Sequence, residues 1–364
     1  MKKVFLIALL GFSSCVEKFD FNVSQEDKGI VIQSFISNQS QFESVSIPHE
    51  GDFFTVLLSE TSDVDNIRDV KLTGASVFLM NREGTRWDYV ESGNGEYALE
   101  RPFFKAQNGV EYQLNVVLKE GDTFKSDWEM MPQVANEIGD FSIKEVSPER
   151  YVSEADEFVI REIDGLNLYV DVPKKSGETN YHYQWSFEPI WQYSSSLAER
   201  INSTKVVCWV TSSFYQKQFL LQQDSKGDFK KELFYIQTKG NERLYQYFST
   251  IVYQDVVSPG YYSFWNDLQA QGDKGGLYDQ PPFGLPTNFT AINSNRTVNG
   301  YFGVVNRATK RWTFEPYELS YAIENNLFDL CLLLDNEPGP KEGQCYYCDE
   351  YNQGQATTRP PSWW

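Results

Sequence analysis

From Ile30 onward the chain is cut into short apolar runs, and that punctuation constrains the fold more than any other feature. IVIQSFIS, FFTVLLSE, KLTGASVFLM, EYALE and EYQLNVVLKE follow one another at close spacing. Turn chemistry stands between them, at Asn81 to Gly84 and again at Gly93 to Gly95. Runs this short, rich in Val, Ile, Tyr and Phe, suit strands rather than helices. Phe, Trp and Tyr make up 16% of the chain, which favours pleated, half-buried surfaces and argues against disorder. At 364 residues the chain is long enough for two or three domains and a sizeable core. The expected fold is mainly β, with a β-sandwich over residues 30–132. A larger β-rich domain over 133–337, with one or a few short helices, and a turn-rich tail over 338–364 follow it.

Downstream, FSIKEVS, LNLYVDV and YHYQWSFEPIWQY read as strands, as do Lys205 to Val210 and Leu233 to Thr238. Arg243 to Val257 reads as one long strand. Ser258-Pro259 then signals a helix start, with Ser as N-cap and Pro at the first position. Tyr261, Phe264, Trp265 and Leu268 fall on one face of that helix. NGYFGVVNRATKRWTF is expected to turn back on itself around Asn306 to Lys310. LCLLL, Leu330 to Leu334, reads as a buried strand or helix turn.

Charge excludes one class of partner. A net charge of −19 repels a phosphate backbone, so nucleic acid is not expected. Catalytic motifs are missing too: there is no G-x-S-x-G, S-x-x-K or H-E-x-x-H. Two histidines, His49 and His182, give little material for a triad or a zinc site. Asp63 to Asp69 begins like a calcium loop but lacks the Gly and Glu that complete one, so it reads as a solvated acidic loop. No enzyme, metal or cofactor is expected.

The opening MKKVFLIALLGFSSC has a basic start at Lys2 and Lys3 and an apolar stretch from Val4 to Phe12, too short to span a bilayer. Ser13, Ser14 and Cys15 resemble the lipobox of bacterial lipoproteins. That likeness implies a signal peptide over 1–14, acylation of Cys15, and a polar tether over 15–29. More than one acyl chain anchors stably, at about 0.8 kcal/mol per buried CH₂. Glu17 and Asp20 partly resemble a surface-export signal, which points to the cell-surface side of the outer membrane.

An exported chain with four further cysteines permits disulfides. Cys208, Cys331, Cys345 and Cys348 allow three pairings. Closeness in the chain favours Cys345 with Cys348, leaving Cys208 and Cys331 as small buried hydrophobes.

The order of these pieces resembles the Bacteroidota outer-membrane lipoproteins classed as domain-of-unknown-function family 4249. The likeness is carried by the lipobox, GIVIQSFIS, Phe54 to Thr61, Gly74 to Val77, Ser258 to Leu268, Asp279 with Pro281 and Pro282, Asn299 to Gly303, and Cys345, Cys348, Pro361 and Trp364. The resemblance implies a neighbour, a TonB-dependent outer-membrane transporter, and no established catalytic residue. It also implies a first domain like the small Ig-like or transthyretin-like sandwich used as a regulatory module in carboxypeptidases and transporter N-termini.

The expected function is therefore a lipid-anchored accessory or binding subunit beside such a transporter. Pro281, Pro282 and Phe283, in the Gly275 to Asn288 loop, and the closing Trp363 and Trp364 are the expected partner contacts, because irregular segments on a rigid scaffold commonly bind. A surface glycan hydrolase with two carboxylates, or a structural envelope lipoprotein, are the alternatives. A small-molecule or glycan ligand is left open.

Overall fold

The computed structural model describes residues 29–46, 53–61, 70–154, 157–173, 180–211, 219–224, 227–238, 242–272, 284–323, 325–336 and 339–364. Cys15, His49, the Asp63 to Asp69 loop, Pro281, Pro282 and Phe283 lie outside the described residues.

The structure is mainly β, as expected. In chain order the first strands are β1 (Ile30–Ser37), β2 (Thr55–Glu60), β3 (Ser76–Asn81), β4 (Arg86–Asp88), β5 (Val90–Gly93), β6 (Glu96–Ala98), β7 (Glu111–Val117), β8 (Thr123–Ser126) and β9 (Glu129–Met130). Next come β10 (Phe141–Val146), β11 (Glu149–Glu154), β12 (Glu157–Glu162), β13 (Gly165–Val172), β14 (Tyr181–Ser194), β15 (Val207–Thr211), β16 (Leu220–Asp224) and β17 (Phe229–Gln237). The last are β18 (Phe248–Val256), β19 (Phe289–Ala291), β20 (Val298–Phe314) and β21 (Gln355–Thr357). A ten-stranded sheet has the order β21-β15-β14-β18-β20-β1-β2-β6-β5, with β16 also paired to β14. A six-stranded sheet runs β19-β8-β7-β3-β4, with β9 beside β7, and a three-stranded sheet runs β10-β13-β17.

Two cores follow from the alternation. In the first, Ile30, Ile32, Val56 and Leu58 from β1 and β2 meet Val77, Leu79, Leu114 and Val116 from β3 and β7. In the second, Tyr183, Trp185, Phe187 and Trp191 of β14 pack with Leu166, Leu168 and Val170 of β13 and with Phe234. Burying each such side chain stabilises by about 1.5–3 kcal/mol. The aromatic cluster of β14 is thus core.

The expected boundary at residue 132 does not separate the cores. Phe289, Phe302 and Val304, from far downstream, complete the first one. β20 is the reason: Val298 to Val305 pairs in parallel with β1, and Asn306 to Phe314 pairs antiparallel with β18. The expected turn at Asn306 to Lys310 is therefore continuous strand. Asn306 instead spends its side-chain amide on the Pro132 and Val134 carbonyls, at 3.3 and 2.7 Å, which removes its use as a turn former. The expected long strand over 243–257 is also shorter: Glu242–Leu244 is a 3-10 turn that buries Leu244, and β18 begins at Phe248.

The helix signalled by Ser258-Pro259 runs from Pro259–Gly272, and the Ser258 hydroxyl accepts from the Tyr261 N–H at 3.3 Å. It packs on the NGYFG segment of β20. Tyr261 lies where a Cβ on Gly303 would come within 2.4 Å of its ring, so only glycine fits there. Gly300, at φ +115°, sits so close to β1 that a Cβ would lie 1.9 Å from the Ile32 carbonyl oxygen. Between them the Tyr301 hydroxyl donates to Glu129 at 3.0 Å, and Asn288 donates to the same oxygen at 3.0 Å.

Glu129 is half-buried, and burial raises its pKa despite these donors. The folded protein then holds a proton that the unfolded chain has released, so stability falls as pH rises through the folded pKa. Glu129→Gln is expected to match wild type below about pH 4 and to gain relative stability as pH rises. Denaturant midpoints across that range measure it, and a constant difference at all pH values would refute it.

The tail departs most from expectation. Cys345 and Cys348 are not bonded to each other. Cys208 pairs with Cys348 and Cys331 with Cys345, each with a Cα separation of 5.5 Å. Gly343 caps a turn here, accepting from the Tyr346 and Tyr347 N–H groups at 3.0 Å each. Beyond it, Cys345 meets the Asn326–Asp335 helix while Cys348 meets β15. Cys208 and Cys331 are buried as expected, but as bonded sulfurs.

Candidate functional site

An open aromatic groove lies where the tail returns to the ten-stranded sheet. Strand alternation builds its floor. Trp312 and Phe314 of β20 and Phe248 of β18 point into the core, so Arg311, Thr313 and Ser249 share the opposite face. The register places Ser249 opposite Thr313 and Ile251 opposite Arg311.

The tail supplies the walls. β21 pairs with β15, and a turn then closes with the Trp364 N–H donating to the Pro361 carbonyl at 3.1 Å. That turn lays the Trp363 ring 3.5 Å from the Arg311 guanidinium carbon. Trp364 stands edge-on to Trp209 and to Tyr247, each at 6.2 Å between ring centroids. The result is an open groove of about 360 Å³ lined by Tyr247, Ser249, Arg311, Thr313, Glu315 and the two tryptophans.

Arg311 is the charge of the groove. Its Nη1 donates to the Ser249 hydroxyl at 2.9 Å, and that hydroxyl donates to the Trp312 carbonyl at 3.0 Å. Burial pulls the guanidinium down to about 10, with Tyr253 and Glu188 acting the other way. It remains charged at neutral pH, held in an aromatic setting that strengthens its interactions. Glu315 on the rim is engaged by Tyr317, whose hydroxyl pKa that contact raises.

A second exposed apolar face belongs to a helix. The Asn326–Asp335 helix is capped by Asn325, whose side chain accepts from the Phe328 N–H at 3.2 Å. Its inner side sets Cys331, Leu327 and Leu332 against Leu197 and Tyr346. Leu330, Leu333 and Leu334 lie at i, i+3 and i+4 on the outer side, with 48%, 68% and 55% of their surface exposed. The expectation that Leu330 to Leu334 is buried therefore holds for Cys331 and fails for these three leucines. A helix apolar on all sides is normally covered all round. Asp335, at its end, is paired with Arg200 and Lys341 and bonded by the Tyr346 hydroxyl. Leu327 and Phe328 of this helix share a separate depression with Tyr193, Glu242 and Tyr245.

Of the expected contacts, Trp363 and Trp364 are at the site. Arg311, Tyr247 and the leucines were not anticipated. Reading KRWTF as strand would have set Arg311 and Thr313 opposite Trp312 and Phe314 by period two. His182 sits against the Tyr262 ring at 4.9 Å, and burial lowers its pKa, so it is a packed residue. A groove of about 940 Å³ in the first half contains Glu83 and Glu100, both solvent-exposed, whereas an acid catalyst needs a carboxyl withdrawn from water. Among the described residues no cluster of His, Cys, Asp and Glu could hold a metal, and no helix is long and apolar enough to cross a membrane.

A family model described as "Domain of unknown function (DUF4249)" matches residues 16–311. No curated protein and no solved structure matches the chain. The matched span includes Cys208, Tyr247 and Arg311, and ends before the other three bonded cysteines and both groove tryptophans.

Proposed function

From the premise that this chain belongs to the DUF4249 family, we propose that it is a lipid-anchored accessory or binding subunit docked to a TonB-dependent outer-membrane transporter. Its place is the cell-surface side of the outer membrane, held by acylated Cys15. The observation that carries the docking is the outer face of the Asn326–Asp335 helix. Three exposed leucines on a helix tied by a disulfide are a rigid apolar patch, and such patches mark interaction sites. The two disulfides favour an oxidising compartment, consistent with export. Tethering through Val16 to Gly29 raises the effective concentration of a membrane neighbour, so a modest interface suffices. Trp363 and Trp364, and Pro281, Pro282 and Phe283, belong to the proposal as further contacts.

The test is recovery of tagged protein from mildly solubilised membranes. Wild type is expected in the membrane fraction with a transporter barrel bound. Cys15→Ser is expected in the soluble envelope fraction. Leu333→Asp/Leu334→Asp is expected to stay in the membrane and lose most of the barrel. Membrane retention of Cys15→Ser at wild-type level removes the anchor. A wild type that brings down no barrel removes the docking, and undiminished recovery with the leucine variant moves the contact elsewhere.

A further inference from the structure

We infer that the groove of about 940 Å³ in the first half, at the open end of the first core, binds a neutral, hydroxyl-rich oligosaccharide. This deepens the binding-subunit reading by naming a ligand class. It is measured on purified protein with no barrel present, so either proposal can fail alone.

Strand alternation leaves one polar position unfinished. Val77, Leu79 and Asn81 of β3 face the same way, and the first two belong to the core. Asn81 ends the strand and is only 8% exposed, so an amide stands where alternation calls for an apolar side chain. Its Oδ1 accepts from the Thr85 N–H at 2.8 Å. Its Nδ2 makes no hydrogen bond among the described residues, and it is not sealed inside the core, because Asn81 lines the groove. A donor withdrawn from water and left unpaired is costly, so this one calls for an oxygen delivered from the groove.

Three observations make that oxygen a sugar hydroxyl. First, the walls are aromatic. Trp87 lies across from Leu79 and Tyr112 across from Asn81, so both rings share the face of the amide. Phe104 stands edge-on to Trp87 at 5.1 Å and to Tyr112 at 6.2 Å between ring centroids. Phe103, 71% exposed, carries the wall outward, and such rings suit the flat apolar face of a pyranose. Second, the polar lining is free. Glu83, Glu100 and Arg101 line the groove, and their side chains have no partner among the described residues. Carboxylates accept, whereas the guanidinium and the Asn81 amide donate, and a hydroxyl does both. Third, the charge balance selects a neutral ligand. Arg86 is paired with Asp88 and Lys105 with Glu43, so those charges are compensated. Two free carboxylates then face one free guanidinium in a protein of net charge −19, which opposes an anion.

The groove also has length. A neighbouring groove of about 560 Å³ shares Lys105 and Gln107 with it and adds the Asn108 amide. Each is of the size that holds a small ligand, so the two in succession suit several linked sugars rather than one ring.

The experiment is calorimetric titration of the detergent-purified full chain with cellotetraose, xylotetraose, mannotetraose and maltotetraose, and with tetragalacturonate as the charged comparison. At least one neutral sugar is expected to saturate a single site with a Kd of about 1 mM or tighter, and the acid to bind more weakly than that sugar. Asn81→Asp keeps the acceptor for Thr85 and removes the donor, and is expected to weaken the sugar at least about tenfold. Phe103→Ala, a change on the exposed rim, is expected to weaken it at least about threefold. Trp364→Ala, in the other groove, is expected to bind as wild type. Should Asn81→Asp fail to fold, Phe103→Ala and the acid comparison decide. Absence of saturable binding by all four sugars, tighter binding of the acid, or undiminished binding by Asn81→Asp and Phe103→Ala overturns the proposal. So does loss of binding in Trp364→Ala, or tighter binding of acetyl-tetraalanine amide than of any sugar.

Discussion

Cys208→Ser/Cys348→Ser is expected to lower the unfolding free energy by about 3–5 kcal/mol and to release the tail. The two cysteines are 140 residues apart, so the bond closes a very long loop of the unfolded chain. Cross-linking removes chain entropy that grows with the logarithm of loop length, reaching about 4.7 kcal/mol for a 100-residue loop. Cys331 and Cys345 are 14 residues apart, and their loss is expected to cost about 3 kcal/mol or less. The two losses also differ in place. Without the longer bridge, β21 and the Trp363-Trp364 turn are held to β15 only by the short β15–β21 pairing, and the groove opens. Without the shorter one, the helix with the leucine face loosens while the groove stays. Denaturant midpoints give the energies, and limited proteolysis gives the places. A Cys208→Ser/Cys348→Ser protein with wild-type midpoint and an uncleaved tail would contradict the bridge as an element of stability.

Asp255→Ala is expected to cost about 3–5 kcal/mol, because it leaves a buried cation without its partner. Arg307 Nε and Nη2 donate to the two oxygens of Asp255 at 2.8 and 2.7 Å. The side chains are only 15% and 5% exposed. Burial works against the Arg307 cation, yet the Asp255 carboxylate prevails and holds the guanidinium above its ordinary pKa. The guanidinium lies 4.7 Å from the Phe35 ring and 4.4 Å from the Tyr253 ring, and the Arg307 N–H donates to Asn38 at 2.7 Å. One residue thereby joins β1, β18 and β20 at the junction of the two cores. Replacing both partners, Asp255→Leu with Arg307→Met, is expected to cost much less than the sum of the single changes, since no buried charge is left alone. Urea melts of the four proteins of the cycle measure the coupling. Additive losses would mean that the pair acts independently.

What the residues alone determined is what short-range physics controls. Alternation in IVIQSFIS and in LNLYVDV is enough to specify strands with one face inward, and both form as read. Ser258-Pro259 with Tyr261 and Phe264 is enough to start a helix and choose its buried face, since cap and stripe lie within two turns. The aromatic tail could be singled out by its composition. Its binding partners within the chain could not. Arg311 reaches Trp363 only because β20 runs straight through Asn306, and that continuity depends on pairing with β1 and β18, residues hundreds or tens of positions away. The cysteine pairing went the same way. Proximity in the chain favours Cys345 with Cys348, but the turn at Gly343 aims them at different elements, and the distant partners win because packing has already placed them. The exposed leucines are the clearest case. Leu330 and Cys331 are neighbours with equally apolar side chains, and only the direction from which Leu197 and Tyr346 approach decides which of them is covered. Local propensity chooses the element; the face that it hides is chosen by whatever long-range contacts the rest of the chain brings to it.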